Sequence, residues 1–147
     1  MAEVPTIGCI ARRTTTQAIT KATVTYASFS ATEYDDGNCW EAGQATRITA
    51  PEDGLYVVTW TVNILPSGET GEKEIWIEKN GSANNRVVCQ DFVGPADAQT
   101  LTAPVRLKEK DFLRFGAYLE TPNNGEFTKD EFGTSDDLNR VIFERVR

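Results

Sequence analysis

Any chemistry in this chain has to be done without histidine, because none of its 147 residues is one. That removes Ser-His-Asp and Cys-His nucleophilic schemes, in which an imidazole takes up a proton near neutral pH, and the usual histidine-containing zinc and iron sets. Neither G-x-S-x-G nor G-x-x-x-x-G-K-[ST] occurs, so the sequence offers no nucleophile elbow and no phosphate-cradling loop. Two carboxylates can still divide acid and base roles in glycoside hydrolysis. Candidate pairs stand at Asp35/Asp36, Glu52/Asp53, Asp130/Glu131 and Asp136/Asp137. All fall in predicted turns, where Asp is favoured for bonding its own backbone. The expectation is a protein that is not an enzyme.

Clustered loop oxygens suit calcium better than any other ion. Asp35, Asp36 and Asn38 form one candidate set, and Asp130, Glu131, Asp136 and Asp137 another, without EF-hand spacing in either. The bland reading, solvated turns, is the working one, so no cofactor is expected. The cysteines are Cys9, Cys39 and Cys89, an odd count with no C-x-x-C pair. This pattern supports neither a zinc site nor a full disulfide framework. It leaves two readings, three buried thiols or one bridge with a free thiol.

The elements that must position these groups are strands. Apolar residues make up 39% of the chain and charged residues 25%, a globular composition that suits a single domain over 1–147. β-Branched and aromatic runs at 7–14, 23–30, 45–50, 54–64, 73–79, 85–92, 99–107, 112–120 and 139–146 alternate with turn signals such as "DDGN" at 35–38 and "PEDG" at 51–54. Asn80–Gly81 is a hairpin signal, since both residue types tolerate positive φ. About ten short strands at this spacing predict an all-β fold, an antiparallel jelly-roll β-sandwich. The formal net charge is −7 and no Lys/Arg block offsets it, which argues against nucleic acid or an anionic membrane as the partner. The opening "MAEVPTIGCIARR" lacks the basic and apolar regions of a signal peptide, and no 18-residue apolar run occurs. Synthesis in a cytosol and no membrane insertion are therefore expected.

Three places point to partners. In "LYVVTWTVNI", Tyr56, Val58, Trp60, Val62 and Ile64 share one face and fit a sandwich core. Leu55, Val57 and Thr59 share the other face, which is apolar at one end. Hiding Leu55 and Val57 would contribute a few kcal/mol per subunit, roughly, at about 25 cal/mol per Å². In "KEIWIEK", Trp76 is expected on a solvent face between Glu74 and Glu78. There it either anchors a protein or glycan or lies over neighbouring long side chains. The segment "MAEVPT", residues 1–6, has little means of folding itself. It is expected to be an arm along a neighbour or scaffold, with Val4 and Pro5 as contacts.

The order of segments resembles the trimeric jelly-roll superfamily of tumour necrosis factor and the complement globular heads, especially its stand-alone bacterial and phage members. "ARRTTTQAITKATVTYASFSATEYDDGNCW" is similar to that group's opening, and "ITAPEDGLYVVTWTV" to its strand closed by Pro-x-x-Gly-x-Tyr. "EIWIEKNG" resembles its strand and Asn–Gly hairpin, "LTAPVRLKEKDFLRFGAYLE" its Leu-x-Leu-x-x-Gly-Asp-x-Val hairpin, and "NRVIFERV" its closing strand. Lys110 stands where that hairpin has Gly. The last strand lacks the usual Phe-x-Gly and carries Arg140, Glu144 and Arg145.

The resemblance implies a homotrimer in which one sheet of each subunit packs around a three-fold axis. Leu55, Val57 and Thr59 would then meet neighbouring subunits. The same resemblance makes a phage virion surface the expected location and a capsid decoration trimer that stabilises the shell the expected role, with capsid or tail proteins as partners. The alternatives are a tail or fibre-tip protein that recognises a host receptor or glycan through loops 66–72, 94–98 and 122–137, and a cell-derived adhesion or ligand module.

Overall fold

A computed structural model describes residues 6–65, 71–82, 84–93, 99–130 and 138–147. Thirteen strands run through them: β1 (Gly8–Arg12), β2 (Gln17–Ile19), β3 (Thr25–Tyr26), β4 (Ala31–Asp36), β5 (Ile48–Thr49), β6 (Gly54–Val62), β7 (Ile64–Leu65), β8 (Glu72–Lys79), β9 (Arg86–Val93), β10 (Gln99–Leu107), β11 (Phe112–Glu120), β12 (Gly125–Phe127) and β13 (Asn139–Arg145). A single 3₁₀ turn, Ala42–Gln44, is the one helical element among the described residues. No helix there is long and apolar enough to cross a membrane.

The first sheet has the order β10-β6-β13-β1-β4. The second runs β3-β11-β8-β9, with β5 also on β11, and a small third sheet runs β2-β12-β7. The pairings are antiparallel, and the fold is the expected jelly-roll sandwich.

Alternation explains the first sheet. In β10, Leu101, Ala103, Val105 and Leu107 are buried, while Thr100, Thr102, Pro104 and Arg106 are exposed. Pro104 has no N–H for a ladder and is tolerated because β10 is an edge strand. β6 buries Tyr56, Val58, Trp60 and Val62 on the same side. Across the core, Trp60 meets the edge of Phe115 from the second sheet at 5.5 Å, and Phe115 in turn meets Phe29. Tyr56 stacks on Phe143 at 4.6 Å, and its hydroxyl donates to the Glu52 carbonyl at 2.7 Å, which closes the Pro51–Gly54 turn.

Asn80 and Gly81 both take positive φ, 56° and 72°, as their hairpin requires. Lys110 takes φ 74°, so it adopts the left-handed backbone that the resembled hairpin gives to Gly. The extra strands relative to the expectation are short or polar. β4, "ATEYDD", runs on through Asp36 and breaks only at Gly37 and Asn38, whose φ values are 113° and 56°.

Candidate interaction face

The outward side of the first sheet carries the residues expected to meet a partner. Register places them in rows. Tyr34, Ile10, Ile142, Thr59 and Thr102 lie side by side across β4, β1, β13, β6 and β10. The next row joins Glu144, Val57 and Pro104, and Leu55 pairs with Arg106 beyond it. On the other side, Arg12, Arg140, Thr61 and Thr100 form a polar row. Leu55, Val57, Thr59 and Ile10 are half-buried in the single chain, and Ile142 keeps 36% of its surface open.

The polar groups of this face are largely satisfied locally. The hydroxyls of Thr59 and Thr102, and those of Thr61 and Thr100, lie 3.3 Å apart across β6 and β10. Two guanidiniums in adjacent strands would repel, but Asp130, whose side chain is fully buried, sits between them. It takes a 2.8 Å bond from Arg140 and lies 3.5 Å from Arg12. That carboxylate favours the charged form of Arg140 and raises its pKa. Burial and the nearby Glu144 charge push the Tyr34 phenol up, so it stays protonated at neutral pH. The middle of the face is therefore an apolar stripe between an acid, Glu144, and a neutralised arginine pair.

Sequence reasoning missed Ile142, Ile10 and Tyr34. The signal for Ile142 was present: in "NRVIFER", Val141 and Phe143 are buried and Arg140, Ile142 and Glu144 point out by the same period of two. Tyr34 was hidden because β4 is too polar to read as a strand.

Trp76 is not a surface anchor. Its side chain does point away from the core between Glu74 and Glu78, but it is fully buried. The indole lies across Gly116, its register partner, where an added Cβ would fall 2.4 Å from the ring. The Arg86 guanidinium covers it at 4.1 Å from the ring centroid, and Tyr26 meets its edge at 6.5 Å. The indole N–H donates to buried Glu78 at 2.8 Å, and Arg114 bonds the other carboxylate oxygen of Glu78 at 3.1 Å. Arg86 is itself paired with Glu74. Long side chains thus cover Trp76 and Tyr26 on the outer side of the second sheet, and this corrects the reading of Trp76 as a partner contact.

Val4 and Pro5, and all but one residue of the 1–6 arm, lie outside the described residues, as do Glu131, Asp136 and Asp137 and most of the loops expected to recognise a receptor. The calcium reading of Asp35, Asp36 and Asn38 finds no support in the geometry. Asp35 and Asp36 are consecutive in β4 and so point to opposite sides. Both Asp35 oxygens already accept backbone bonds, from Cys39 N–H at 2.7 Å and Trp40 N–H at 3.1 Å. Asp130 is likewise engaged by arginines. In the Glu52/Asp53 pair, Glu52 bonds Arg145 at 3.0 Å and Asp53 accepts from Glu109 N–H at 2.8 Å. A cluster that sequence spacing did not suggest does form: the sulfurs of Cys9 and Cys39 and a carboxylate oxygen of Asp35 all lie within 4.8 Å of one another.

No family model matches the chain, and no curated protein matches it in sequence. Solved structures do. The globular domain of zebrafish complement 1qA protein is similar over 96% of this chain and 98% of its own, with a TM-score of 0.63 at 11% identity. Murine APRIL at pH 8.0 is similar over 95% of this chain and 98% of its own, with a TM-score of 0.68 at 10% identity. Its pH 5.0 form gives a TM-score of 0.66 over 95% and 99%, also at 10% identity. At such identities the likeness establishes the fold alone: this chain has the jelly-roll architecture of the complement 1qA globular domain and of APRIL.

Proposed function

We propose that the protein is a non-enzymatic binding module that works as a homotrimer closed through the outward face of its first sheet, and that its place is a virion surface, as a capsid decoration trimer. The observation that carries the trimer is the apolar stripe of Ile10, Ile142 and Val57 in the middle of the outward face of the first sheet. Ile142 in that stripe keeps 36% of its surface open, whereas on the second sheet Arg86 and Arg114 lie over the rings of Trp76 and Tyr26. A heterologous contact that closes on itself hides such a patch without growing a fibre. The virion reading rests on the segments that resemble stand-alone phage members. A trimer on a three-fold site would make three equal weak contacts at once, and the effective concentration of the second and third gives tight capture. That capture stabilises the shell by mass action.

Light scattering on the purified chain at micromolar concentration should report three times the 16.3 kDa subunit mass. Sedimentation with empty capsids of the parent virus should then deplete the free protein and raise the temperature at which the capsids open. A trimer that ignores capsids but binds host cells would move the role to a tail or fibre tip. A stable monomer would remove the basis for either.

A further inference from the structure

The cysteine pair near the sheet edge is used by nothing above. Cys9 lies on β1 with its side chain inward and is fully buried. Gly37 and Asn38 turn the chain back after β4, and Cys39 returns beside β1, also buried. Asp35, the register partner of Cys9, fixes the Cys39 amide at 2.7 Å, and the Cys39 carbonyl accepts from Thr49 N–H at 2.8 Å. The backbone is thus held on both sides of Cys39, and the two sulfurs lie within 4.8 Å of each other. A disulfide needs them about 2.05 Å apart. Each sulfur hangs from a single rotatable χ1, so the remaining approach calls on side-chain rotation at Cys9 or Cys39.

We infer that Cys9 and Cys39 are a cross-linking site: on exposure to a small-molecule disulfide such as oxidised glutathione, they form one intrachain bond that ties β4 and its turn to β1. Cys39 reacts first. It lines a cleft of about 110 Å³ with Asn38, Glu41, Gln44, Arg47 and Thr49, where a local opening frees its sulfur, whereas Cys9 has no exposed surface. The Cys39 thiolate attacks one glutathione sulfur, the glutathione disulfide breaks, and one glutathione thiolate leaves. Cys9 then gives its proton to solvent and attacks the Cys39 sulfur of the mixed disulfide, which releases the second glutathione. Two protein thiols are oxidised and one disulfide is reduced to two thiols. The second step is slow in the folded chain: once Cys39 is in the mixed disulfide its thiol no longer acts on Cys9, but burial still pushes the Cys9 thiol up. Cys89 takes no part: it is exposed on β9, in the other sheet.

Trypsin places the three cysteines in separate peptides, 1–12, 22–47 and 87–106. After incubation with oxidised glutathione and alkylation, mass spectrometry should find 1–12 joined to 22–47 with the loss of two hydrogens. Residues 87–106 should not be joined to either. The bond closes a loop of roughly 30 residues, so the thermal midpoint should rise by roughly 5 °C or more. Dithiothreitol should reverse the rise, and C89S should retain it. The inference is overturned if Cys9 and Cys39 stay alkylatable, if the cross-link involves Cys89, or if one zinc ion per chain protects both thiols and so shows a metal site instead. Should C9S or C39S fail to fold, the peptide map of the unmodified chain still decides.

Discussion

Replacing Ile142 by glutamate puts a charge at the centre of the face proposed to close the trimer. In the single chain this is a mild change. Ile142 already exposes 36% of its surface, and its register neighbours Ile10 and Thr59 leave the new side chain a path to water. Surface substitutions of this kind move folding stability by about 0.5 kcal/mol. In the trimer the cost is of another order. Full burial of an isoleucine contributes about 1.5–3 kcal/mol, so hiding the open third contributes about 0.5–1 kcal/mol per copy, or about 2 kcal/mol over three copies. Each buried carboxylate without a cation opposite adds a penalty of several kcal/mol, roughly. Arg140, the nearest cation on the strand, is held by Asp130, and Glu144 adds repulsion. The sum is on the order of 10 kcal/mol per trimer, which at about 1.4 kcal/mol per tenfold lowers the assembly constant by about seven decades. Light scattering at micromolar concentration should therefore change from trimer to monomer. The matched control is Val24→Glu, also an exposed apolar residue, at 45%, but beside β3 in the second sheet; it should leave the trimer intact. If Ile142→Glu stays trimeric, or if Val24→Glu dissociates the assembly just as well, the assignment of the face is wrong.

Lys110→Gly should stabilise the subunit. A left-handed residue with a Cβ carries about 1–2 kcal/mol of strain, and the extra freedom of Gly in the unfolded chain returns part of it. A net gain of about 0.5–1 kcal/mol in urea unfolding is expected. A loss would mean that the Lys110 side chain contributes contacts that outweigh the strain. Asp111 gives a pH test. Partial burial raises its carboxyl, but donations from Lys108 N–H and Asn80 and the Lys79 ammonium outweigh this and hold it below the ordinary aspartate value. A folded-state value below the unfolded one adds stability above the ordinary range, and that stability is lost as pH falls through the folded value. Asp111→Asn should therefore be less stable than the parent at pH 7, with the gap narrowing towards about pH 3. A gap that stays constant with pH would assign the effect to lost geometry rather than charge.

What could be read from the sequence was what alternation writes. β6, β10 and β13 each bury every second residue, and their boundaries lie within a residue or two of the expected runs at 54–64, 99–107 and 139–146. Asn80–Gly81 was legible because its turn needs positive φ at both residues. β4 was not. An edge strand with one pairing partner can be polar on both sides, and its two terminal aspartates read as a turn. The run at 23–30 shrank to Thr25–Tyr26, because only those two residues pair with β11. Trp76 failed for a different reason. Its direction followed from the period of two, but its burial depends on Gly116 beneath it and Arg86 above, which lie 40 and 10 residues away and meet it only through register. The Cys9–Cys39 approach was invisible for the same reason.

The two sheets solve one problem in opposite ways, and the contrast is the main physical argument for the interface. A jelly-roll sheet has one face in the core and one outside, and each outer face here carries large apolar groups that water would solvate poorly. On the second sheet they are Trp76 and Tyr26. The same chain covers them with Arg86 at 4.1 Å and Arg114 at 3.9 Å from the ring centroids, charges that also hold Glu74 and Glu78. Such a layer costs side-chain entropy and fills the surface, so that face offers a partner little further apolar burial. On the first sheet the arginines stand aside. Arg12 and Arg140 are drawn to Asp130 at one end, and Arg106 lies opposite Leu55 at the other. The row between them keeps Ile10, Ile142 and Thr59, short side chains with few rotamers to lose. A row of stiff residues can be buried at small entropic cost, with Glu144 the acid beside it, whereas a cation-capped face already hides its apolar area within the subunit. On these grounds the proposed assembly is placed on the β10-β6-β13-β1-β4 sheet rather than on the Trp76 face.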